Sequence, residues 1–228
     1  QIECQARFRG ARNRHAKHRA RIRRFRVPRV LSERLNDVVC VAAEANAFPY
    51  TVRAQRPGYQ DELVQWAAYR PATGETMEFV VAPRGEIAPG TTIHTRLDEA
   101  MLRGGGTLDE LHTRWRAFVR DTDVVCSWGR YETNLFATAG GWLPREHLDL
   151  RHVARDVART NVGSLAEYKE SLASELSAEH HLPGPDLLAS VPGRAGHKLR
   201  AIRDVIASFS ALHAAAAAGG AAEAPDAP

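Results

Sequence analysis

Residues Asp37–Tyr50 read DVVCVAAEANAFPY, and the fold turns on how this stretch is understood. Residues 38–43 form a nearly unbroken apolar run of strand length. An unbroken run, as opposed to an alternating one, marks a strand covered on both faces, as in the middle of a mixed sheet. The run delivers Ala42 and Ala43, then a lone carboxylate, Glu44. Downstream, ELVQWAAYRP (62–71) reads as a second strand, TGE (73–75) as a tight turn and TMEFVVAP (76–83) as a third strand, together a hairpin.

TLDELHTRWRAFVRD (107–121) predicts a helix with an explicit start, because Thr107 and Glu110 can each satisfy an orphan N–H of the first turn. Leu108, Leu111, Trp115, Phe118 and Val119 then give it one apolar stripe. DVVCSWG (123–129) reads as another buried strand, and RYETNLFATAG (130–140) as a helix ending at Gly140. LDLRHVARDVART (148–160) reads as a short strand or turn leading into a helix. Ser164 and Glu167 form a second capping box, and Ile202, Val205, Ile206, Phe209 and Leu212 mark a closing helix over 200–213. The order predicts an α/β fold: a mixed sheet, its antiparallel hairpin beside parallel strands, with helices on both faces.

Composition divides the 228 residues into three parts. Ten Arg and Lys17 crowd between Arg7 and Arg29, and the chain beyond Arg29 carries 20 basic and 26 acidic residues. The basicity therefore belongs to an arm, residues 1–34, ahead of a mildly acidic body at 35–213. Such an arm is either a solvated tail or linker, or a phosphate-contacting segment in which Arg19, Arg21, Arg23, Arg24 and Arg26 release counterions from nucleic acid. Residues 214–228, rich in Ala, Gly and Pro, read as a disordered tail. No window reaches the ~18 apolar residues of a membrane span. Cys4, Cys40 and Cys126 lack metal-type spacing, and Cys40 and Cys126 read as buried thiols of a reducing, cytoplasmic compartment. The start at Gln1 leaves room for an upstream domain.

Five blocks, in order, resemble the DEDD 3′–5′ exonucleases, which have an RNase H-like fold. VVCVAAEAN lies where the family has its first motif, Asp-x-Glu. The hairpin and the following P…I…IH loop are similar to the family's second and third strands. VVCSWGRYETNLF resembles the second motif of the branch reading Ser-Trp-Gly-x-x-Asp, which trims histone-message and small structural RNA ends. LDLRHVAR matches the block after it, and LRAIRDVIASFSAL resembles the third motif, His-x-x-x-x-Asp. The resemblance implies phosphodiester hydrolysis by two Mg²⁺ or Mn²⁺ ions held on clustered carboxylates, with a His as general base. Carried over residue by residue, Glu44, Glu132 and Asp204 remain as catalytic and metal-binding candidates, while Ala42 and Leu199 stand at the bridging Asp and the His. His197 lies two residues from Leu199, which on a helix points it elsewhere.

These departures imply a degenerate, pseudo-exonuclease domain that binds or positions nucleic acid, RNA ahead of DNA, with no metal. Two alternatives are an active exonuclease with an altered Mg²⁺ or Mn²⁺ set, and a stabilising domain of a larger enzyme. Phe48 and Trp128 are the aromatic candidates for contact with a nucleotide, although Trp128 also reads as core or cleft wall. Trp66 and Trp115 read as core, His94 as a packed residue, and His180 and His181 as exposed loop residues. Asp149 reads as ordering the strand-to-helix junction.

Overall fold

The computed structural model describes residues 28–54, 58–173 and 186–220. The helices are α1 (Arg29–Glu33), α2 (Tyr50–Arg53), α3 (Thr91–Thr95), α4 (Glu99–Arg103), α5 (Leu108–Phe118), α6 (Tyr131–Thr138), α7 (Leu150–Ala158), α8 (Leu165–Ala173), α9 (Leu187–Ser190) and α10 (Gly193–Gly220). The strands are β1 (Val38–Asn46), β2 (Glu62–Tyr69), β3 (Thr76–Val80), β4 (Val124–Ser127) and β5 (Glu146–Asp149).

They form one mixed sheet in the order β3-β2-β1-β4-β5. The β1–β2 and β2–β3 pairs are antiparallel, and β1–β4 and β4–β5 are parallel. The unbroken apolar run is thus the central strand. Successive side chains of β1 enter opposite layers. Val38, Cys40 and Ala42 pack with residues of α7, α8 and α10, among them Leu150, Tyr168, Leu199, Ile202 and Phe209. Val39, Val41 and Ala43 pack beneath α5 and α6 against Trp66, Trp115 and Phe136. Trp66 stacks on Phe136 at 4.1 Å between ring centroids and meets Trp115 edge-on at 5.3 Å, so both tryptophans are core, as their sequence context implies.

Both capping boxes are present, Thr107 with Glu110 on α5 and Ser164 with Glu167 ahead of α8. At the far end of the sheet Arg70 is fully buried and grips Asp123 with two guanidinium hydrogen bonds of 2.9 and 2.5 Å, while also donating to the Phe118 carbonyl. Cys40 and Cys126 sit side by side on β1 and β4 as free buried thiols. Burial, then the neighbouring Cys126, pushes the Cys40 thiol well above its ordinary value.

The last helix departs from its expected span. It begins at Gly193, not at 200, and runs on to Gly220 through alanines that composition assigns to a disordered tail. Alanine is the strongest helix former, so an alanine run extends a helix that packing has already nucleated. The strand expected over 123–129 stops at Ser127, where the chain turns through Gly129 at a φ of +85°. The basic segment with Arg19, Arg21, Arg23, Arg24 and Arg26, the His180–His181 loop and residues 221–228 lie outside the described residues.

Candidate functional site

Strand alternation sets Glu44 on the α10 side of β1, two residues beyond Ala42, beside a register shift between Glu44 and Ala45. Glu132 arrives from the first turn of α6. The Ser-Trp-Gly turn that launches α6 is held by a small network. The Ser127 hydroxyl donates to the Gly129 carbonyl at 2.5 Å, and the Gly129 N–H donates to Asp149 Oδ1 at 3.1 Å. Asp149 also caps α7 by accepting from the His152 N–H, the junction role expected of it. Since Ser127 has one proton and gives it to Gly129, His147, whose Nε2 lies 2.8 Å from Ser127 Oγ, supplies the proton of that contact. Burial first, and Arg130 next, hold His147 below the ordinary imidazole range.

Glu44 and Glu132 meet at one cation. Both residues are buried, 4% and 7% exposed. The Lys198 ammonium lies 2.9 Å from Glu44 Oε1, donates to Glu132 Oε1 at 3.2 Å, and donates to the Ala43 carbonyl at 2.9 Å. Arg194, one turn earlier on α10, brings Nη1 within 3.9 Å of Glu44 Oε2. These four residues line a cleft of about 760 Å³ that also includes Trp128, Arg151, His197, Ala201 and Ile202. Trp128 is tilted over Tyr168 at 5.4 Å, with its indole N–H unpaired. Tyr131, also in the cleft wall, donates its hydroxyl to Asp61 at 3.0 Å, and burial together with Asp61 raises its phenol.

The remaining candidates lie elsewhere. Ala42 and Leu199 are 0% exposed inside the apolar layer and do not line the cleft. Asp204 does not line the cleft and pairs with Lys169 at 2.6 Å and Arg203 at 3.6 Å. The cleft-facing positions of α10 are 194, 197, 198, 201 and 202. At about 100° per residue, 204 lies on the flank of that face, within about 20° of His197 and about two turns further along, where Lys169 of α8 holds it. The same five-residue spacing, read in the phase that faces the cleft, falls on His197 and Ile202. His197 therefore lines the cleft after all, and its Nε2 accepts a hydrogen bond from Arg96 Nη1 at 3.0 Å. Burial, then Arg96, Arg200 and Lys169, hold it below the usual imidazole range, so it accepts as a neutral ring. Phe48 is 6% exposed and packs edge-on against Tyr59 at 5.5 Å, so the open aromatic after β1 is Tyr50, 81% exposed.

Sequence reasoning missed Lys198, Arg194 and Arg96. The signal for the first two was a basic pair at i, i+4 on the same face as Ala201 and Ile202. With α10 expected to start at 200, that pair fell outside any helix.

The residues present do not fit a two-ion centre. The position between the two carboxylates is taken by an ammonium, and the facing helix offers Ala201 and Ile202. Among the described residues no three His, Cys, Asp or Glu side chains gather where a metal could be held.

No family model matches the chain, and no curated relative matches it. Solved structures do. Exonuclease X in complex with 5′-overhanging duplex DNA is 14% identical at a TM-score of 0.50, the match covering 78% of this chain and 92% of that one. The nuclease domain of 3′hExo, a DEDDh family member bound to rAMP, is 10% identical at a TM-score of 0.52, covering 77% and 89%. A 3′-exonuclease recognising the histone mRNA stem-loop is 11% identical at a TM-score of 0.51, covering 77% and 80%. The chain thus has the RNase H-like fold of the DEDDh 3′–5′ exonucleases.

Proposed function

We propose that this domain is a pseudo-exonuclease, a nucleic-acid-associated module that keeps the exonuclease fold and has lost hydrolysis. The observation that carries this reading is Lys198, seated between Glu44 and Glu132. Two-ion hydrolysis needs carboxylates open to divalent cations, one generating hydroxide and the other stabilising the leaving oxygen. An ammonium neutralises the carboxylates and does neither. Ala42, an apolar residue at the bridging position, and Ile202, apolar on the helix that faces the carboxylates, support the same conclusion. An active enzyme using Glu44, Glu132 and Asp204 would require Lys198 to leave its three contacts and Asp204 to break from Lys169.

In this reading the ligand is nucleic acid, RNA ahead of DNA. The Ser-Trp-Gly turn and the structural likeness to proteins bound to rAMP and to an mRNA stem-loop favour RNA. Arg19, Arg21, Arg23, Arg24 and Arg26 add sequence-independent phosphate contacts, Trp128 a cleft-side ring, and no metal takes part. Free buried thiols favour a reducing compartment such as the cytoplasm. Among the described residues no helix is long and apolar enough to cross a membrane.

The test incubates the full chain with end-labelled single-stranded RNA and DNA in millimolar Mg²⁺ or Mn²⁺. Intact strands with salt-sensitive binding support the reading. Stepwise 3′–5′ trimming that Glu44→Gln abolishes would overturn it. Neither binding nor trimming would favour a stabilising role in a larger enzyme.

A further inference from the structure

The cationic side chains of the cleft, Arg96, Arg151, Arg194 and Lys198, outnumber its two carboxylates, and that imbalance points to a ligand. Glu44 and Glu132 face Lys198, which leaves little acidic surface for a cation. Around them stand cationic groups with hydrogen-bonding capacity to give. Arg194 is half exposed and makes only a 3.9 Å contact with Glu44. Arg96 reaches into the same cleft and touches His197 through one guanidinium nitrogen. Arg151 presents a buried Nε, and Trp128 a buried Nε1, neither with a hydrogen-bond partner. A guanidinium offers five N–H donors in a planar fork that matches the oxygens of a phosphate. A buried donor left unpaired costs free energy that an incoming acceptor recovers.

Resting on the pseudo-exonuclease reading, we infer that the cleft takes the phosphate of a nucleic-acid strand end directly on Arg194, Arg96 and Arg151, with Lys198 as its resident cation and no divalent ion involved. The cleft volume of about 760 Å³ holds a terminal nucleotide with its phosphate, not a duplex. The Trp128 and Tyr131 side chains supply ring surface beside the phosphate site. In an enzyme that clamps phosphates through metal ions, chelation abolishes cleft binding. Here binding to fixed guanidinium groups is indifferent to it.

The test measures anisotropy of a 5′-fluorescein-labelled single-stranded RNA on the full chain, in EDTA and in Mg²⁺, with AMP as competitor. The expected result is equal affinity in both buffers, displacement by AMP in EDTA, and a loss of about tenfold for Arg194→Ala and for Arg96→Gln. Arg194 is solvent-facing, so its variant is expected to fold, and its melting temperature is measured alongside. Binding that appears only with Mg²⁺ overturns the inference, and the proposed function survives if the strand stays intact. Binding in EDTA that ignores both arginine variants overturns the inference alone. No RNA binding in either buffer overturns both.

Discussion

Replacing Lys198 by methionine removes the ammonium and keeps most of the side-chain volume. Glu44 and Glu132 then remain buried without their shared cation, and the Ala43 carbonyl loses its donor. Removing one partner of a buried ion pair costs about 3–5 kcal/mol, because the desolvated charge left behind has nothing to compensate it. For a chain of this size each kcal/mol shifts the melting temperature by roughly 2–4 °C, so Lys198→Met should melt roughly 6–20 °C below the parent. Thermal and urea unfolding followed by far-UV circular dichroism provide the two numbers. Adding Glu44→Gln and Glu132→Gln in the Lys198→Met background should restore most of the loss, since neutral amides need no counter-charge. A loss below about 1 kcal/mol for Lys198→Met, the range of exposed surface pairs, would refute the placement of the ammonium between the carboxylates.

Arg70→Ala should cost a similar ~3–5 kcal/mol by stranding Asp123, and Arg70→Lys should recover only part of it because an ammonium cannot reproduce the two-pronged grip; urea midpoints decide this. His147 is held below its ordinary range in the folded chain, so the unfolded chain binds more protons as pH falls through the unfolded value. Stability should therefore drop between pH 7.5 and 5.5, about the free imidazole pKa near 6.5, and His147→Gln should flatten that slope in urea titrations. Ala42→Asp combined with Leu199→His inserts polar groups into a closed apolar layer. It should destabilise by more than about 2 kcal/mol and yield no strand degradation, and 3′ trimming by this variant would contradict the packing described.

The central strand, the hairpin and the two capping boxes were legible because their signals are local: an unbroken apolar run, a Thr-Gly-Glu turn, and a hydroxyl three residues ahead of a glutamate. What escaped depends on distance along the chain. Lys198 and Ala43 are 155 positions apart, and Arg70 and Asp123 are 53 apart, so neither pairing leaves a trace in any window. The start of α10 was hidden for a different reason. A helix expected over 200–213 leaves Gly193 and Gly196 outside it. Yet Gly196 is helical, and a Cβ there would run into the Val191 carbonyl, so the glycine serves close packing of α9 on α10. That late start left the cleft-facing Arg194, His197 and Lys198 outside the expected helix. Phe48 misled similarly, because its contact with Tyr59 crosses a loop that no periodicity describes.

The paired thiols of β1 and β4 give the molecule a chemical clock. Cys40 and Cys126 occupy matching positions on adjacent central strands and are closed to solvent on both sides of the sheet. With the thiolate form of Cys40 disfavoured as well, an alkylating reagent reaches them only when the sheet itself comes apart. Their rate of modification under native conditions, followed by mass spectrometry, therefore counts openings of the domain's centre. A nucleic acid that binds the closed state should slow that count in proportion to its occupancy, with no label attached to protein or ligand.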